Sequence, residues 1–344
     1  MIRARTRDTR SRTVRPARPK NAPVPSDRGT ARPVAARARV FRRVLAIIAP
    51  GASPGRRRGA PLWFLLPALA FYAFVVLVPS VQGTAYAFTD WDGLSPVKHF
   101  AGLGNFRRML HDDAARGVIG QTLEIAVAVT VIQNVVGLAL ALGVHGRIKS
   151  RNALRVMLFA PAVMTPVVTA ALWKYMLAPD GALNGLFSAL GLGSLRQNWL
   201  GDPDLALWSV VGVVVWQFAG YSMAIFLAGL QSIPADVIEA AAVDGAGPVR
   251  RFRHVVLPLL APAITINLML SIIGGLKLFD QVWVMTGGGP GNATDTLSTL
   301  IYKNAFQFNE FAYSVALAIV LTVFVAVISG GQYRLLRRQE RAAR

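Results

Sequence analysis

Two ionisable side chains, Lys277 and Asp280, lie within a long apolar stretch and are candidates to bind a polar molecule. A charged group in such a segment is costly, so it usually faces protein or water rather than lipid. An amine and a carboxylate can both bond to the hydroxyl groups of a solute. Three residues apart on a helix, they can equally pair with each other, and the sequence leaves both interpretations open.

Motifs for catalysis or metal binding are missing from the sequence. The chain contains no cysteine, which excludes disulfides, thiolate metal sites and cysteine nucleophiles. It has no GxxxxGK(S/T) motif for nucleotide phosphates, no HExxH and no GxSxG. The four histidines are scattered, at His99, His111, His145 and His254. We therefore expect no enzymatic activity, no metal site and no cofactor held by this chain.

Residues 239–258, EAAAVDGAGPVRRFRHVVLP, predict the end of one short helix, a turn and a second short helix. Ser232 and Pro234 indicate the start of the first helix, with the proline in its first turn. Asp236 and Glu239 place negative charge in its early turns, and the alanines at 240–242 favour helix. Gly245 ends the helix because glycine tolerates the left-handed cap conformation.

The second helix is predicted to be amphipathic. Val249, Phe252 and Val256 share one face of it, and Pro258 marks the return to an apolar segment. The whole segment is therefore predicted to be a short helix–turn–helix at a membrane surface, with nothing in it that suggests catalysis.

The composition is that of a protein that crosses a membrane several times. Of the 344 residues 53% are hydrophobic, and the mean hydropathy is +0.44, which is too apolar for an ordinary soluble protein. A membrane helix needs ~20 apolar residues. Six such spans are predicted at about 62–88, 118–144, 154–177, 205–230, 255–285 and 311–331. The predicted fold class is all-α, a polytopic helical bundle.

Basic residues predict the orientation of these spans. Residues 1–60 hold 17 of the 37 Lys and Arg and are predicted to be a disordered tail, with a short amphipathic helix at 40–49. Residues 61–335 form the transmembrane domain, and 336–344 a short basic tail. Even without the first tail, 12 basic residues lie on one side of the spans against 6 on the other. Both termini and the helix–turn–helix are therefore predicted to be cytoplasmic.

A net charge of +20 would suggest nucleic acid as a partner if the chain were soluble. Here most of the charge lies outside the apolar segments, so a tail that fixes topology and faces membrane lipids is the favoured interpretation, and no nucleic-acid partner is expected.

The helix–turn–helix also carries a family resemblance. Glu239-Ala240-Ala241, Gly245, Val255 and Leu257-Pro258 resemble, in type and spacing, the EAA loop of bacterial ABC importer permeases. Asp244, Gly245 and Ala246 form the DGA variant common in that family. The one departure is valine at 255, where isoleucine is usual.

Further segments resemble the carbohydrate-uptake branch of these permeases, over roughly 62–335. They are GLGNFRRML (102–110), GALNGL (181–186), LQSIP (230–234), KLFDQVWVMTGGGPGNATDTL (277–297) and IYKNAFQFNEFAYSVALA (301–318). Within that branch the chain resembles the first of two dissimilar subunits, the MalF-like or UgpA-like one. TGGGPG (286–291) is the most specific part of that assignment.

The resemblance implies a type I ABC importer permease in a bacterial plasma membrane. It implies a second permease subunit in a heterodimer, two cytoplasmic subunits that bind ATP, an extracytoplasmic solute-binding protein and a sugar as cargo. A cytoplasmic coupling helix at 235–243 would lie in a cleft of the ATPase, with Glu239 as its polar contact and Gly245 as its turn. The remaining coupling residues implied by the motif are Ala240, Ala241, Asp244, Ala246, Leu257 and Pro258.

The resemblance also implies where solute passes. The candidates for the substrate path are Tyr221, Ser271, Lys277 and Asp280, with Gln217 and Trp216 as weaker ones because a tryptophan in a span usually packs or anchors. The maltose-type protein has asparagines where this chain has Gly275 and Leu278, which argues against maltose itself.

Three alternatives compete with a sugar permease. An ABC permease for glycerol-phosphate, a polyol or another small solute is one, although a phosphate cargo calls for several cations and only Lys174 and Lys277 lie in spans. An ion-coupled secondary transporter calls for inverted repeats and membrane carboxylates, and only Glu124 and Asp280 qualify. The third is a membrane-anchored nucleic-acid binder that uses the basic tail.

Overall fold

The computed structural model of the protein describes residues 65–146 and 149–342, and their regular structure is helical. The predictions of a disordered segment at 1–60 and of a helix at 40–49 lie outside these residues. The helices are α1 Leu66–Tyr86, α2 Gly104–His111, α3 Asp113–His145, α4 Arg151–Val163, α5 Pro166–Met176, α6 Ala182–Ala189, α7 Pro203–Gln231, α8 Ala235–Val243, α9 Pro248–Leu259, α10 Ala261–Leu276, α11 Asp280–Met285, α12 Leu297–Phe306 and α13 Phe311–Ala342.

Four of these helices, α1, α3, α7 and α13, are long and apolar enough to cross a membrane. Two bent pairs, α4 with α5 and α9 with α10, bring the number to six if each pair is one span. The prediction of an all-α membrane bundle is confirmed, and the first, second, fourth and sixth predicted spans each correspond to one helix.

The third predicted span is not the continuous helix that the sequence suggested. α4 and α5 meet at an angle of 98°, and Thr165 between them is extended, with ψ 144°. Pro166 causes the break because proline disfavours helical geometry in the residue before it. The Met164 carbonyl, freed by the break, accepts a hydrogen bond from Gln217 Nε2 at 3.0 Å. A side chain of α7 therefore stabilises the bend.

The fifth predicted span, 255–285, is broken twice. α9 and α10 meet at 69°, and Pro262 stands in the first turn of α10, where its missing N–H is tolerated. α10 then ends at Leu276, and α11 begins at Asp280. Residues 277–279, called the break from here on, are the non-helical link between α10 and α11.

The core of the bundle is the contact of α3 with α7. Apolar side chains of both helices, among them Ile125, Val129, Val210 and Val214, pack together with Leu278 and Met285. Buried amides of α3 form hydrogen bonds to α7 and to α10: Gln133 Nε2 donates to Ser222 Oγ at 2.8 Å, and Asn134 Nδ2 donates to Ser271 Oγ at 2.9 Å. This packing places α3, α7 and α10 around a shared interior.

Gly220 on α7 permits the closest approach of α4. A Cβ at this position would lie 2.7 Å from the carbonyl carbon of Leu158 and 2.9 Å from Cα of Phe159, and backbone atoms cannot move aside cheaply. At Gly212, on the same helix, no atom lies within 4 Å of the position that a Cβ would occupy.

Gly220→Ala is therefore expected to destabilise the protein by ~1–3 kcal/mol, the usual cost of overpacking a core. Gly212→Ala should be neutral or stabilising, because alanine favours helix over glycine by ~1 kcal/mol. Thermal unfolding of the two purified variants in detergent measures the difference. Equal melting temperatures would contradict the close packing of α4 on α7.

Candidate functional site

A short helix, α8, connects the end of α7 to the start of α9, and its bounds Ala235–Val243 are those predicted. The start of α8 differs from the prediction. Pro234 occupies the N-cap position, whereas Ser232 caps α7, with its Oγ donating to the Gly229 carbonyl at 2.7 Å. The Ser232 hydroxyl bonds to α7 because the last carbonyls of a helix have no N–H donor within that helix.

Gly245 ends α8 in the way the sequence predicts. Its φ of +76° is left-handed, its N–H donates to Ala242 O at 3.1 Å, and the N–H of Ala246 donates to Ala241 O at 3.0 Å. These two bonds form a Schellman motif, which satisfies carbonyls at the helix end and needs a residue that tolerates positive φ. The turn between α8 and α9 is thus fixed by backbone geometry.

Most of α8 is exposed. Glu239 and Ala240 are exposed, and only Ile238 and Ala241 are partly buried. Ile238 lines a cavity of about 290 Å³ together with residues of α3, α7 and α9. The other lining residues are Leu142, His145, Leu230, Ile233, Pro248, Arg251, Phe252 and Val256. α8 therefore presents a free outer face and rests on the bundle through few side chains.

The predicted apolar face of the second helix is partly wrong. Phe252 and Val256 line the cavity, but Val249 is 79% exposed and Arg251 lines the cavity instead. Residues 252–256 form a wider π-helical turn, in which residues four apart stay aligned, so Pro248, and not Val249, shares the cavity side with Phe252 and Val256. Asp244 and Pro258 are exposed, and Ala246 and Leu257 are partly buried. Contact of these residues with an ATPase stays a prediction.

A second feature is a partly open cavity of about 460 Å³ lined by α3, the α4–α5 bend, α7, α10, the break and the start of α11. Four predicted substrate-path residues line it: Tyr221, Ser271, Lys277 and Asp280. Tyr221 is 42% exposed, whereas Ser271 is 5% exposed and donates to Asn267 O at 2.9 Å. Tyr221 is therefore available to a solute, and Ser271 is already engaged.

Lys277 and Asp280 line the cavity without pairing. The ion pairs among the described residues are Arg108–Glu310, Arg116–Asp113 and Lys303–Asp295, so neither charge is neutralised by a partner there. The predicted helical spacing does not hold because α10 ends before Lys277 and α11 starts at Asp280. Both charges are left to face the cavity.

The two weaker candidates do not line the cavity. Trp216 packs edge-on against Trp173, with ring centroids 5.3 Å apart. Gln217 is fully buried, where it bonds to Met164 O and accepts from Gln281 Nε2 at 3.0 Å. Gln217 thus ties the α4–α5 bend to α11.

Sequence reasoning missed several lining residues, namely Gln133, Phe218, Phe279 and Gln281. Gln133 and Gln281 are amides within apolar runs, which is a signal that could have found them, since polar side chains in spans usually face the interior. Phe218 and Phe279 carry no such signal. In the part of the chain that the structure describes, no group of three His, Asp or Glu is placed to hold a metal ion.

Comparisons with known proteins match this architecture. The family described as "Binding-protein-dependent transport system inner membrane component" matches residues 133–341. The "Probable starch degradation products transport system permease protein AmyD" of Thermoanaerobacterium thermosulfurigenes is 37% identical, over 83% of this chain and 96% of that protein. The "Multiple sugar-binding transport system permease protein MsmF" of Streptococcus mutans is 34% identical, over 80% of this chain and 95% of that one.

Among solved structures, a chain of a bacterial ABC transporter for the import of the acidic polysaccharide alginate has the same fold. Its TM-score is 0.70 at 22% identity, over 88% of this chain and 99% of that one. The helical bundle, the family match and the two permease relatives agree, and the protein belongs to the binding-protein-dependent transport system inner membrane component family of ABC transporter permeases.

Proposed function

We propose that this chain is the permease subunit of an ATP-driven importer and forms the path for a carbohydrate delivered by an extracytoplasmic solute-binding protein. The observation that carries the proposal is α8, an exposed helix closed by Gly245 and attached at both ends to cavity-lining spans. Its outer face fits a cleft on an ATPase, with Glu239 as the polar contact.

The geometry accounts for coupling. The chain has no nucleotide-binding loop, so hydrolysis on another subunit must act through a protein interface. α8 joins α7, which carries Tyr221, to α9, which leads through α10 to Lys277. A movement of α8 by closing ATPases would shift both walls of the cavity together, a rigid-body switch between two states.

A carbohydrate suits the cavity and the relatives. AmyD and MsmF are named for starch degradation products and multiple sugars. Aromatic rings such as Tyr221 and Phe279 can stack on sugar faces, while Lys277 and Asp280 can bond to hydroxyl groups. A glycerol-phosphate cargo is disfavoured because Lys277 is the only cation among the cavity's described lining residues.

The proposed assembly contains a second permease subunit, two cytoplasmic ATP-binding subunits and the binding protein, in a bacterial plasma membrane. The asymmetry of Lys and Arg supports cytoplasmic termini and a cytoplasmic α8. Residues 61–335 are proposed as the permease domain, between basic segments at 1–60 and 336–344. ATP is proposed to bind only to the partner subunits.

Co-purification tests the proposal. The full chain is solubilised in detergent from its own host, and the proteins recovered with it are identified by mass spectrometry. A second permease and an ATPase are expected in comparable amounts, and the binding protein encoded with them can be screened against sugars by thermal shift. A stable complex without any ATPase would overturn the proposal.

A further inference from the structure

The break between α10 and α11 is held by a residue from a distant part of the chain. Where a helix ends, its last carbonyls lack partners within it. The carbonyl of Leu278 accepts a hydrogen bond from Thr296 Oγ1 at 2.8 Å, and both residues are buried. Leu278 lies between the two cavity charges, so this bond acts at the centre of the break.

Thr296 is itself fixed on α12. It is the N-cap of that helix in a reciprocal capping box, with its backbone N–H donating to Thr299 Oγ1 at 2.8 Å. Thr299 Oγ1 in turn bonds to Asp295 Oδ1 at 2.9 Å. A capping box satisfies two orphan donors at once and makes the helix start rigid.

A buried ion pair stabilises the start of the same helix, α12. Lys303 Nζ lies 2.8 and 2.7 Å from the two carboxylate oxygens of Asp295, whose side chain is 3% exposed. Gly288, with φ +91°, passes directly over this pair. A Cβ there would overlap the Asp295 carboxylate and lie 2.7 Å from Lys303 Nζ. The glycine-rich turn at 286–291 is therefore needed to wrap the ion pair.

α12 also contacts the break through aromatic rings. Phe279 and Trp283 stack on each other, and Tyr302 contacts both rings, with centroid distances of 5.5 and 4.6 Å. The N–H of Leu297 donates to Thr122 Oγ1 on α3 at 2.9 Å. α12 is thus anchored to α3, which itself contributes Val129 and Gln133 to the cavity lining.

We infer that Asp295, Thr296, Thr299, Tyr302 and Lys303, the α12 brace, are positioning residues that fix the break and thereby the places of Lys277 and Asp280 in the cavity. The effect of the brace on transport rests on the proposed function, since it requires that the cavity carry solute. The effect of the brace on the geometry of the break does not depend on that function, and a test without solute can measure it.

The absence of cysteine from the sequence allows a clean spectroscopic test. A nitroxide label on the single cysteine of Lys277→Cys reports the order of the break by electron paramagnetic resonance. In that background, Thr296→Val removes the bond to Leu278 O, and we expect loss of the immobilised spectral component. Thr296→Ser keeps a hydroxyl and should restore it. Thr322→Val, the same exchange at an exposed site on α13, is the control.

An unchanged spectrum in Thr296→Val, or no recovery in Thr296→Ser, overturns the inference. If Thr296→Val does not fold, Gly288→Ala disturbs the ion pair from the other side and should mobilise the label as well. Because no solute or partner is needed, the outcome is independent of co-purification. If Thr296→Val mobilises the label but the full chain co-purifies without an ATPase, the α12 brace is supported and the proposed function is refuted.

Discussion

Gly245→Pro is expected to lower solute uptake by at least ~100-fold while the protein still inserts and purifies as a folded bundle. Proline fixes φ near −65°, whereas Gly245 has φ +76° and donates its N–H to Ala242 O. A penalty of ~3 kcal/mol or more on the native turn corresponds to a ~100-fold or larger loss. Uptake into proteoliposomes containing the full complex measures it.

The loss should come from coupling and not from folding. Gly245 is exposed, has no atom near its Cβ direction and lies outside the buried clusters of the bundle. Thermal stability of the isolated permease should therefore stay close to that of the native chain, while co-purification of the ATPase drops. Gly245→Ala should give an intermediate loss of ~5–30-fold, since a positive φ costs an alanine ~1–2 kcal/mol.

Gly247→Ala is the matched control two residues away. Gly247 has φ −62° and open space around it, so alanine fits without strain, and uptake should be unchanged. Glu239→Ala should impair uptake without moving α8, because its side chain is exposed and has no ion-pair partner among the described residues. Normal uptake by Gly245→Pro would refute the role of α8 in coupling.

The bounds of α8 and its terminal turn could be predicted because the forces that set them are local. A run of alanines, an early acidic residue and a glycine at the C-terminal turn specify helix and stop within a dozen residues. The start of α8 was assigned wrongly to Ser232 because only residues 232–234 lie between α7 and α8, and a serine there can cap either helix. The serine completes α7, and proline alone is left to begin α8.

The breaks in the third and fifth spans could not be predicted from local sequence, because each break is stabilised by a residue far along the chain. Pro166 is visible in the sequence, but proline is tolerated within many membrane helices when other groups satisfy the freed carbonyls. Here Gln217, 53 residues away, holds the α4–α5 bend open. The end of α10 likewise depends on Thr296, 18 residues beyond Leu278.

The same non-local bond explains why the pairing of Lys277 with Asp280 failed as an interpretation. Spacing of three residues brings side chains together only on a continuous helix. With the Leu278 carbonyl bonded to Thr296 Oγ1, the helix ends at Leu276. Lys277 and Asp280 then belong to separate segments. The leading candidates for the substrate path, Tyr221, Ser271, Lys277 and Asp280, line the cavity, and the weaker ones, Gln217 and Trp216, do not.

Neutralising either cavity charge is expected to reduce transport without reducing stability. Lys277→Gln and Asp280→Asn each remove a charged hydrogen-bonding group, which is worth ~1.5–3 kcal/mol and corresponds to a ~10- to 100-fold fall in transport efficiency. Neither residue has an ion-pair partner among those described, so the melting temperature should hardly move. Uptake of the sugar identified with the binding protein provides the measurement.

A double-mutant cycle separates solute binding from structural pairing. If each residue contacts solute, the double variant should lose close to the product of the two single effects, and the exchanged pair Lys277→Asp with Asp280→Lys should stay impaired. A structural pair would instead be rescued by the exchange. Lys174→Gln, on α5 outside the cavity lining, makes the same chemical change and should leave uptake intact. Full uptake by both single variants would remove Lys277 and Asp280 from the solute path, because a cavity whose unpaired charges can be neutralised without effect does not use them to bind its cargo.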